Sequence, residues 1–277
     1  MTLDSKNYKQ EQEQFLEKTE HALRLLFNTA KEKNELHFCL SLAPEFRGCQ
    51  DPGWCTAIES FRAFDEYMSF ITLIGKSSFS IRVALGFYCH LAEASGFYEV
   101  PKNLLRLVEG KKYNLWPFQE IVEKHKETGK VIAPNANKVL RDLAGHAKEL
   151  GFNELAEVFR DAFDPDLRNG YSHADYIVWN DGIRLRKRNG GQPRIVSWEE
   201  FDCLFHKGIN FFHILKQLSV EYQNEYIEPK TIKGQLDNEP IGFWTIHCNK
   251  EKGSFSISNS MKNSNIAKED NKKDADS

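Results

Sequence analysis

The chain has 277 residues, 40% of them hydrophobic, and a formal net charge of −3 at pH 7. This apolar content is sufficient for a packed core and excludes a disordered protein. The near-neutral charge provides no general attraction to nucleic acid or to an anionic membrane, so contact with either needs a local charged patch.

Two further features bear on the compartment. No apolar run reaches the roughly 18 residues that a membrane span requires, and the polar, charged start of the chain does not resemble a secretory signal. The six cysteines are scattered without a CxxC pair, which favours reduced thiols over a disulfide framework. We therefore expect a cytoplasmic protein with no membrane contact and with no metal ion or cofactor.

The N-terminal part of the chain predicts two helices and a connection between them. Residues 7–32 carry a narrow apolar strip at helical spacing. Residues 36–50 lack such a period and predict a partly buried connection. Asp51-Pro52 is a favourable helix start, and the apolar spacing after it predicts a helix that ends at Gly75.

The middle of the chain predicts a series of helices around one buried helix. The segment from Ser77 to Gly96 is apolar almost all round, which is typical of a helix at the centre of a core. The other predicted helical segments are 101–109, 117–127, 134–150 and 153–163.

After residue 176 the apolar pattern changes from helical to alternating. Residues 176–178, 183–186 and 194–196 predict three short strands separated by turns rich in Asn and Gly. Ser197 and Glu200 form a capping box that opens a strong amphipathic helix. Downstream, residues 241–247 and 254–258 predict a further strand pair.

The sequence thus predicts a mainly α fold: a helical bundle with a small β-hairpin inserted before its last core helix. We assign residues 1–76 to an N-terminal helical region, 77–225 to the helical domain and 226–258 to a C-terminal extension with short strands. Residues 259–277 are polar and predict a disordered tail.

The residues most suited to chemistry lie between Asp164 and Tyr176, and they include Arg168, Asn169 and His173. Four residues separate the arginine from the histidine. Residues five apart on a regular helix point about 140° apart. This segment follows a proline, contains Gly170 and leads into a strand, so it need not be a regular helix.

The same spacing occurs once more, at Arg141 and His146. There the arginine lies opposite the apolar stripe of a regular helix and the histidine flanks that stripe. We interpret this second pair as a solvated arginine and a histidine at the side of a helix, without a shared site.

The run Pro-x-Leu-Arg-Asn-x-x-x-His-Ala-Asp-Tyr, followed by a hairpin and a capped helix, resembles the motif region of HEPN domains. That family's pattern is Arg, a polar residue that is often Asn, three to five further residues, and His. The resemblance covers roughly residues 78–222 and is clearest at 164–215. It implies a helical bundle, commonly a dimer, and many members are metal-independent ribonucleases in toxin–antitoxin, phage-defence and RNA-processing systems.

The resemblance assigns Arg168 to the motif arginine, Asn169 to the polar position and His173 to the motif histidine. Family members that pair with a nucleotidyltransferase antitoxin often carry Tyr two places after the histidine, whereas Tyr176 stands three places after it. Other members are non-catalytic and bind nucleotides or proteins.

These residue types suit RNA cleavage on physical grounds. RNA supplies its own nucleophile, the 2′-hydroxyl. Histidine is the side chain that exchanges protons near neutral pH, and the arginine fork binds two phosphate oxygens at once. We therefore predict an endoribonuclease with His173 as general acid/base, Arg168 as phosphate stabiliser and Asn169 as orienting residue. Its expected partners are RNA, a second copy of the chain, and an antitoxin or defence-system protein.

The predicted hairpin adds further candidates for substrate binding. Alternation places Arg184, Arg186 and Arg188 on one face, where they can contact phosphates. Equally, edge strands often carry charge only to stay soluble. Tyr171 and Tyr176 are candidates for stacking on bases.

Two alternatives to catalysis remain open. One is a non-catalytic module that binds a nucleotide or a protein partner through the same cleft. The other is a structural scaffold in which Arg168 pairs with Asp164 or Asp166 and His173 satisfies a turn carbonyl.

Overall fold

The structure, a computed structural model, describes residues 3–43, 55–75, 77–187, 190–236 and 240–259. Within these ranges the protein is mainly helical and carries three small antiparallel sheets. The helix start predicted at Asp51-Pro52 lies outside the described residues, as does the predicted tail from residue 260 onward.

The helices and strands are numbered in chain order. The helices are α1 (Leu3–Lys33), α2 (Glu35–Ser41), α3 (Thr56–Leu73), α4 (Ser78–Glu93), α5 (Ser95–Val108), α6 (Ala136–Glu149), α7 (Asn153–Asp161), α8 (Pro165–Ser172) and α9 (Trp198–Asn224). The strands are β1 (Glu123–Lys124), β2 (Val131–Ile132), β3 (Tyr176–Trp179), β4 (Gly182–Leu185), β5 (Arg194–Ser197), β6 (Lys230–Gly234), β7 (Gly242–Asn249) and β8 (Ser254–Asn259).

Two long helices, α1 and α9, pack against each other and organise the core. α1 also contacts α5 and α7, while α4 lies between α3, α8 and α9. As predicted, α4 starts at a serine cap, where Ser77 and Ser80 form a reciprocal capping box. Seven of its 16 residues are buried, all of them between Ala84 and Ala92. α1 belongs to the predicted N-terminal region yet shares one hydrophobic core with the other helices; the boundary near residue 76 stays a prediction.

Several local predictions were wrong. The connection predicted from residue 36 begins as helix α2, because the side chain of Asn34 caps it by accepting a hydrogen bond from the N–H of His37. Helix α5 begins at Ser95 rather than after Pro101, which lies inside it. The proline removes one helical hydrogen bond, but burial of the helix's apolar face offsets that loss.

The helix predicted at 117–127 was also wrong. Only one 3₁₀ turn forms there, Gln119–Ile121, and the chain then continues into β1, which pairs with β2. Gly129 makes the turn between them with a φ of +66°, a conformation that favours glycine. Strand β6 was not predicted, whereas β7 and β8 pair as expected.

The sheet β3–β4–β5 confirms the predicted hairpin and its third strand. One of its faces lies against α9, and β4 also contacts α8. β6 packs on α2. In the part of the chain that the structure describes, no helix combines the length and the apolar character needed to cross a bilayer.

Candidate active site between α8 and the hairpin

The segment from Asp164 to Tyr176 starts as a regular helix. Asp164 caps α8, because its Oδ1 accepts a hydrogen bond from the N–H of Leu167 at 2.7 Å. Pro165 occupies the first turn, where its missing N–H has no cost. The segment, which the sequence left open as a regular helix or not, is helical as far as Ser172.

The helix ends at His173 in a tight reversal of the chain. The N–H of Asp175 donates to the carbonyl of Gly170 at 2.8 Å, and the N–H of Ala174 donates to the carbonyl of Tyr171 at 3.0 Å. This is the Schellman pattern of helix ends. Ala174 has a φ of +55°, a left-handed conformation that costs a non-glycine residue about 1 kcal/mol. The strained turn thus fixes the backbone of His173 at the helix end, and its side chain is exposed.

Helix α8 and the hairpin approach each other closely at Gly170. A Cβ atom added there would lie 2.7 Å from Cδ2 of Leu185, so only glycine fits without a shift. The N–H of Arg186 also donates to the carbonyl of Asp175 at 2.9 Å and extends the β3–β4 pairing toward the helix end. These contacts fix the position of the hairpin relative to His173.

A cavity of about 490 Å³ opens between the end of α8 and the hairpin. We call it the α8–hairpin cavity. Asn169 and His173 line it together with Arg186 and Lys187. Two predicted catalytic residues therefore share one water-accessible space with one of the predicted phosphate-contacting arginines.

Arg168 lies behind this cavity, in the core. Its side chain is only 8% exposed, and its Nη1 forms an ion pair with Glu93 of α4. Its Nη2 donates to Oδ1 of Asn169 at 2.5 Å. Within a single chain, Arg168 therefore reaches the cavity through Asn169 and does not share it directly with His173.

The carboxylates that the structural alternative assigned to Arg168 bind Arg194 instead. Nη1 of Arg194 lies 2.8 Å from Asp164 and 3.3 Å from Asp166, and its Nη2 lies 2.8 Å from Glu200. Burial lowers the pKa of Arg194, but the hydrogen bonds to Glu200 and Asp164 outweigh it, so the pKa lies above the usual value for arginine. Arg194 lines the cavity as a cation already shared among three carboxylates.

Arg186 and Lys187 are the exposed cations of the cavity. Among the interactions between described residues, neither side chain forms an ion pair. Arg184 lies on the outer face of the sheet, where its Nη2 is 3.3 Å from Asp181. Arg188 lies outside the described residues.

The two predicted stacking tyrosines lie next to each other. The ring centroids of Tyr171 and Tyr176 are 5.7 Å apart. The hydroxyl of Tyr171 is close to Gly86 of α4, where an added Cβ would lie 2.9 Å from it, and burial raises the pKa of Tyr171. Among the described residues that line the α8–hairpin cavity, neither tyrosine is present.

The sequence reasoning missed Glu93 and Asp175 as site residues, and it considered Asp166 only as a partner of Arg168. Both aspartates line the cavity and lie within the segment itself, so their proximity to Arg168 and His173 was a usable signal. Glu93 lies 75 residues before Arg168, and no local pattern connects the two positions.

Among the described residues, no group of three or more His, Cys, Asp or Glu side chains is arranged to hold a metal ion. Comparisons with family models, with curated proteins and with solved structures found no match to this chain.

Proposed function

We propose that this chain is an endoribonuclease of the HEPN type that cleaves RNA without a metal ion. The observation that supports it most is the α8–hairpin cavity, which Asn169, His173, Arg186 and Lys187 line together. Its volume of about 490 Å³ is in the range of ligand pockets, roughly 300–1,000 Å³. A phosphodiester and part of a nucleoside fit in such a space.

The reaction would be an internal transesterification. The 2′-oxygen attacks the neighbouring phosphorus, the bond from phosphorus to the 5′-oxygen breaks, and a 2′,3′-cyclic phosphate forms. One proton must leave the 2′-hydroxyl and one must reach the departing 5′-oxygen. His173 is exposed and lines the cavity, so we assign it to one of these proton transfers.

Arg186 and Lys187 are the groups best placed to balance the phosphate charge. Arg168 contributes indirectly: it donates to Oδ1 of Asn169, which leaves the amide nitrogen of Asn169 to donate to a phosphate oxygen. We therefore assign Arg168 to the positioning of Asn169, rather than to the direct phosphate contact that the motif suggests.

A second copy of the chain would complete the chemistry. Cleavage uses both a base and an acid, and one chain brings one histidine to the cavity. A two-fold dimer with facing cavities would supply two. RNA, the homodimer, and a toxin–antitoxin or phage-defence role with its partner protein are parts of this proposal that rest on the resemblance.

The test is cleavage of an end-labelled RNA by the full chain in EDTA. We expect the parent protein to cut and His173→Ala to cut at least about 100-fold more slowly, the loss typical of a missing general acid or base. His146→Ala, the histidine of the second Arg-x4-His segment, is the matched control and should cut like the parent. If the parent leaves RNA intact, or if His173→Ala cuts as fast as the parent, the proposal is wrong.

The alternative is a module that binds a nucleotide or protein partner without catalysis. The pairing of Arg168 with Glu93 favours it, because a guanidinium held in the core does not contact a phosphate. This alternative predicts RNA or nucleotide binding that survives His173→Ala, with no cleavage under any metal-free condition.

A further inference from the structure

The outer face of the β3–β4–β5 sheet exposes three large apolar side chains. Ile177, Trp179 and Ile195 are 58%, 51% and 52% exposed. The strand register pairs Ile177 with Arg184 and Arg184 with Ile195, and directly paired residues point to the same face. Arg184 therefore lies between the two isoleucines, next to Trp179 in one surface that we call the Trp179 face.

The Trp179 face is held rigidly from behind. Ile183 and Val196, on the opposite side of the sheet, are fully buried, and β4 and β5 both contact α9. Nε1 of Trp198 donates to the carbonyl of Asn180 at 2.8 Å and fixes the turn between β3 and β4. A rigid surface loses little conformational entropy when it binds a ligand.

The tryptophan ring is arranged to accept a flat partner. The guanidinium of Arg184 lies 5.1 Å from the ring centroid of Trp179. The residue paired with Trp179 on β4 is Gly182, which has no side chain to cover the indole from that strand. About half of the tryptophan surface is open, and the planar guanidinium of Arg184 lies over the ring, so a base would stack on the part of the indole that Arg184 leaves open.

The charge around this surface favours a polyanion. Between Ile183 and Val196 the chain contains five cationic residues and no acidic one. Three of the five, Arg186, Lys187 and Arg194, line the α8–hairpin cavity. Asp175, which lines the cavity, lies four residue steps before Trp179, about 13 Å along an extended strand, so a single extended strand of nucleic acid can reach from the cavity to Trp179.

We propose that the Trp179 face binds an unpaired nucleobase, stacked on the indole of Trp179 and flanked by Arg184. This site selects single-stranded over double-stranded RNA, because bases inside a duplex are already stacked on each other. The inference rests on the proposed function in taking RNA as the ligand, and it adds a specificity site outside the cavity.

Binding is measured in the His173→Ala background, so that the RNA stays intact. The probes are a labelled single strand of about 12 nucleotides, within the range of known single-strand sites, and the same sequence as a duplex. We expect Trp179→Ala to weaken single-strand binding roughly tenfold or more and to leave duplex binding unchanged. Trp179→Phe should retain most of the affinity, since it keeps an aromatic ring.

The matched control is Trp116→Ala, because Trp116 is 44% exposed and lies outside the hairpin. It should bind both probes like the parent. Circular dichroism and thermal melting establish that each variant is folded. The proposal is wrong if Trp179→Ala and Trp116→Ala weaken single-strand binding equally. It is also wrong if Trp179→Ala weakens binding of the single strand and of the duplex by the same factor.

Two further readouts separate this site from the cleavage proposal. If the chain with His173 intact cuts RNA, Trp179→Ala should raise KM and leave kcat nearly unchanged, as for a residue used only in binding. If that chain does not cut RNA but Trp179→Ala still weakens binding of the single strand and not of the duplex, the cleavage proposal is wrong and the stacking site is supported. If Trp179→Ala instead turns a dimer into a monomer by light scattering, the face is an interface between copies and the stacking site is wrong.

Discussion

The two Arg-x4-His segments of this chain have the same spacing and opposite burial. On α6, Arg141 is exposed and His146 is half-buried, whereas on α8 Arg168 is buried and His173 is exposed. Because five residues turn a helix by about 140°, only one member of each pair can face the core. The spacing therefore does not decide which member reaches water; the neighbouring helices do.

On α6, His146 is enclosed by two charged side chains. One is Lys102 of α5, and the other is Glu109, the residue that follows α5. Nδ1 of His146 lies 3.4 Å from Nζ of Lys102, and its Nε2 lies 3.1 Å from Glu109. Lys102 is 4% exposed and forms an ion pair with Asp142 at 2.8 Å. Burial and, next, the charge of Lys102 lower the pKa of His146. This histidine therefore connects α6 to Lys102 of α5 and to Glu109.

On α8 the enclosed member is the arginine, and its partner Glu93 comes from α4. The histidine is left at the helix end beside the hairpin. The same sequence spacing thus produces a structural histidine in one segment and a candidate catalytic histidine in the other.

The largest expected difference between the segments is in stability, between Arg168→Ala and Arg141→Ala. Arg168 is buried and paired, although Glu93 is half exposed, so we expect its loss to lower the free energy of unfolding by about 2 kcal/mol. Arg141 is exposed and donates to the carbonyl of Asn137 in its own helix, so its loss should change stability by less than about 0.5 kcal/mol. Urea unfolding measures both, and equal values would mean that burial of Arg168 does not stabilise the fold.

A smaller effect is expected for Lys102→Met. The change keeps much of the volume and leaves Asp142 without its cation, at a cost of about 1–2 kcal/mol. Since Lys102 lowers the pKa of His146, the pKa of His146 should rise in this variant. NMR titration of the imidazole measures it, with the parent as reference; an unchanged or lower value would contradict the network.

The smallest effect is the dependence of stability on pH at His146. Its pKa is lowered from 6.5 in the folded chain, so the unfolded chain takes up the proton more readily. Stability should be fully present above pH 6.5 and should fall as the pH falls through the lowered value. His146→Gln should reduce this loss, measured by urea unfolding at pH 8 and pH 5.5. At pH 8 the imidazole is neutral in the folded and the unfolded chain, so that measurement isolates the cost of the substitution itself. If His146→Gln loses as much stability between pH 8 and pH 5.5 as the parent, His146 is not the group responsible.

The sequence was most informative where the signal is local. The caps at Ser77 and Ser197 both form, and each fixes the start of a core helix. The capping box predicted at Ser197 forms only in part, because the carboxylate of Glu200 accepts from Arg194. Alternation of apolar residues located the hairpin because its inner residues face α9. The sequence failed at α2 and α5, where a single cap or a buried apolar face outweighed an irregular pattern or an internal proline.

For the candidate site, the sequence alone determined which residue types lie together between Asp164 and Tyr176, since they are neighbours along the chain. Only the tertiary structure decided their orientation. The carboxylate of Glu93, distant in sequence, holds Arg168 in the core, and the close contact of Gly170 with Leu185 places the hairpin cations beside His173. The physical reason is that a helix segment has no preferred buried side until its neighbours supply one.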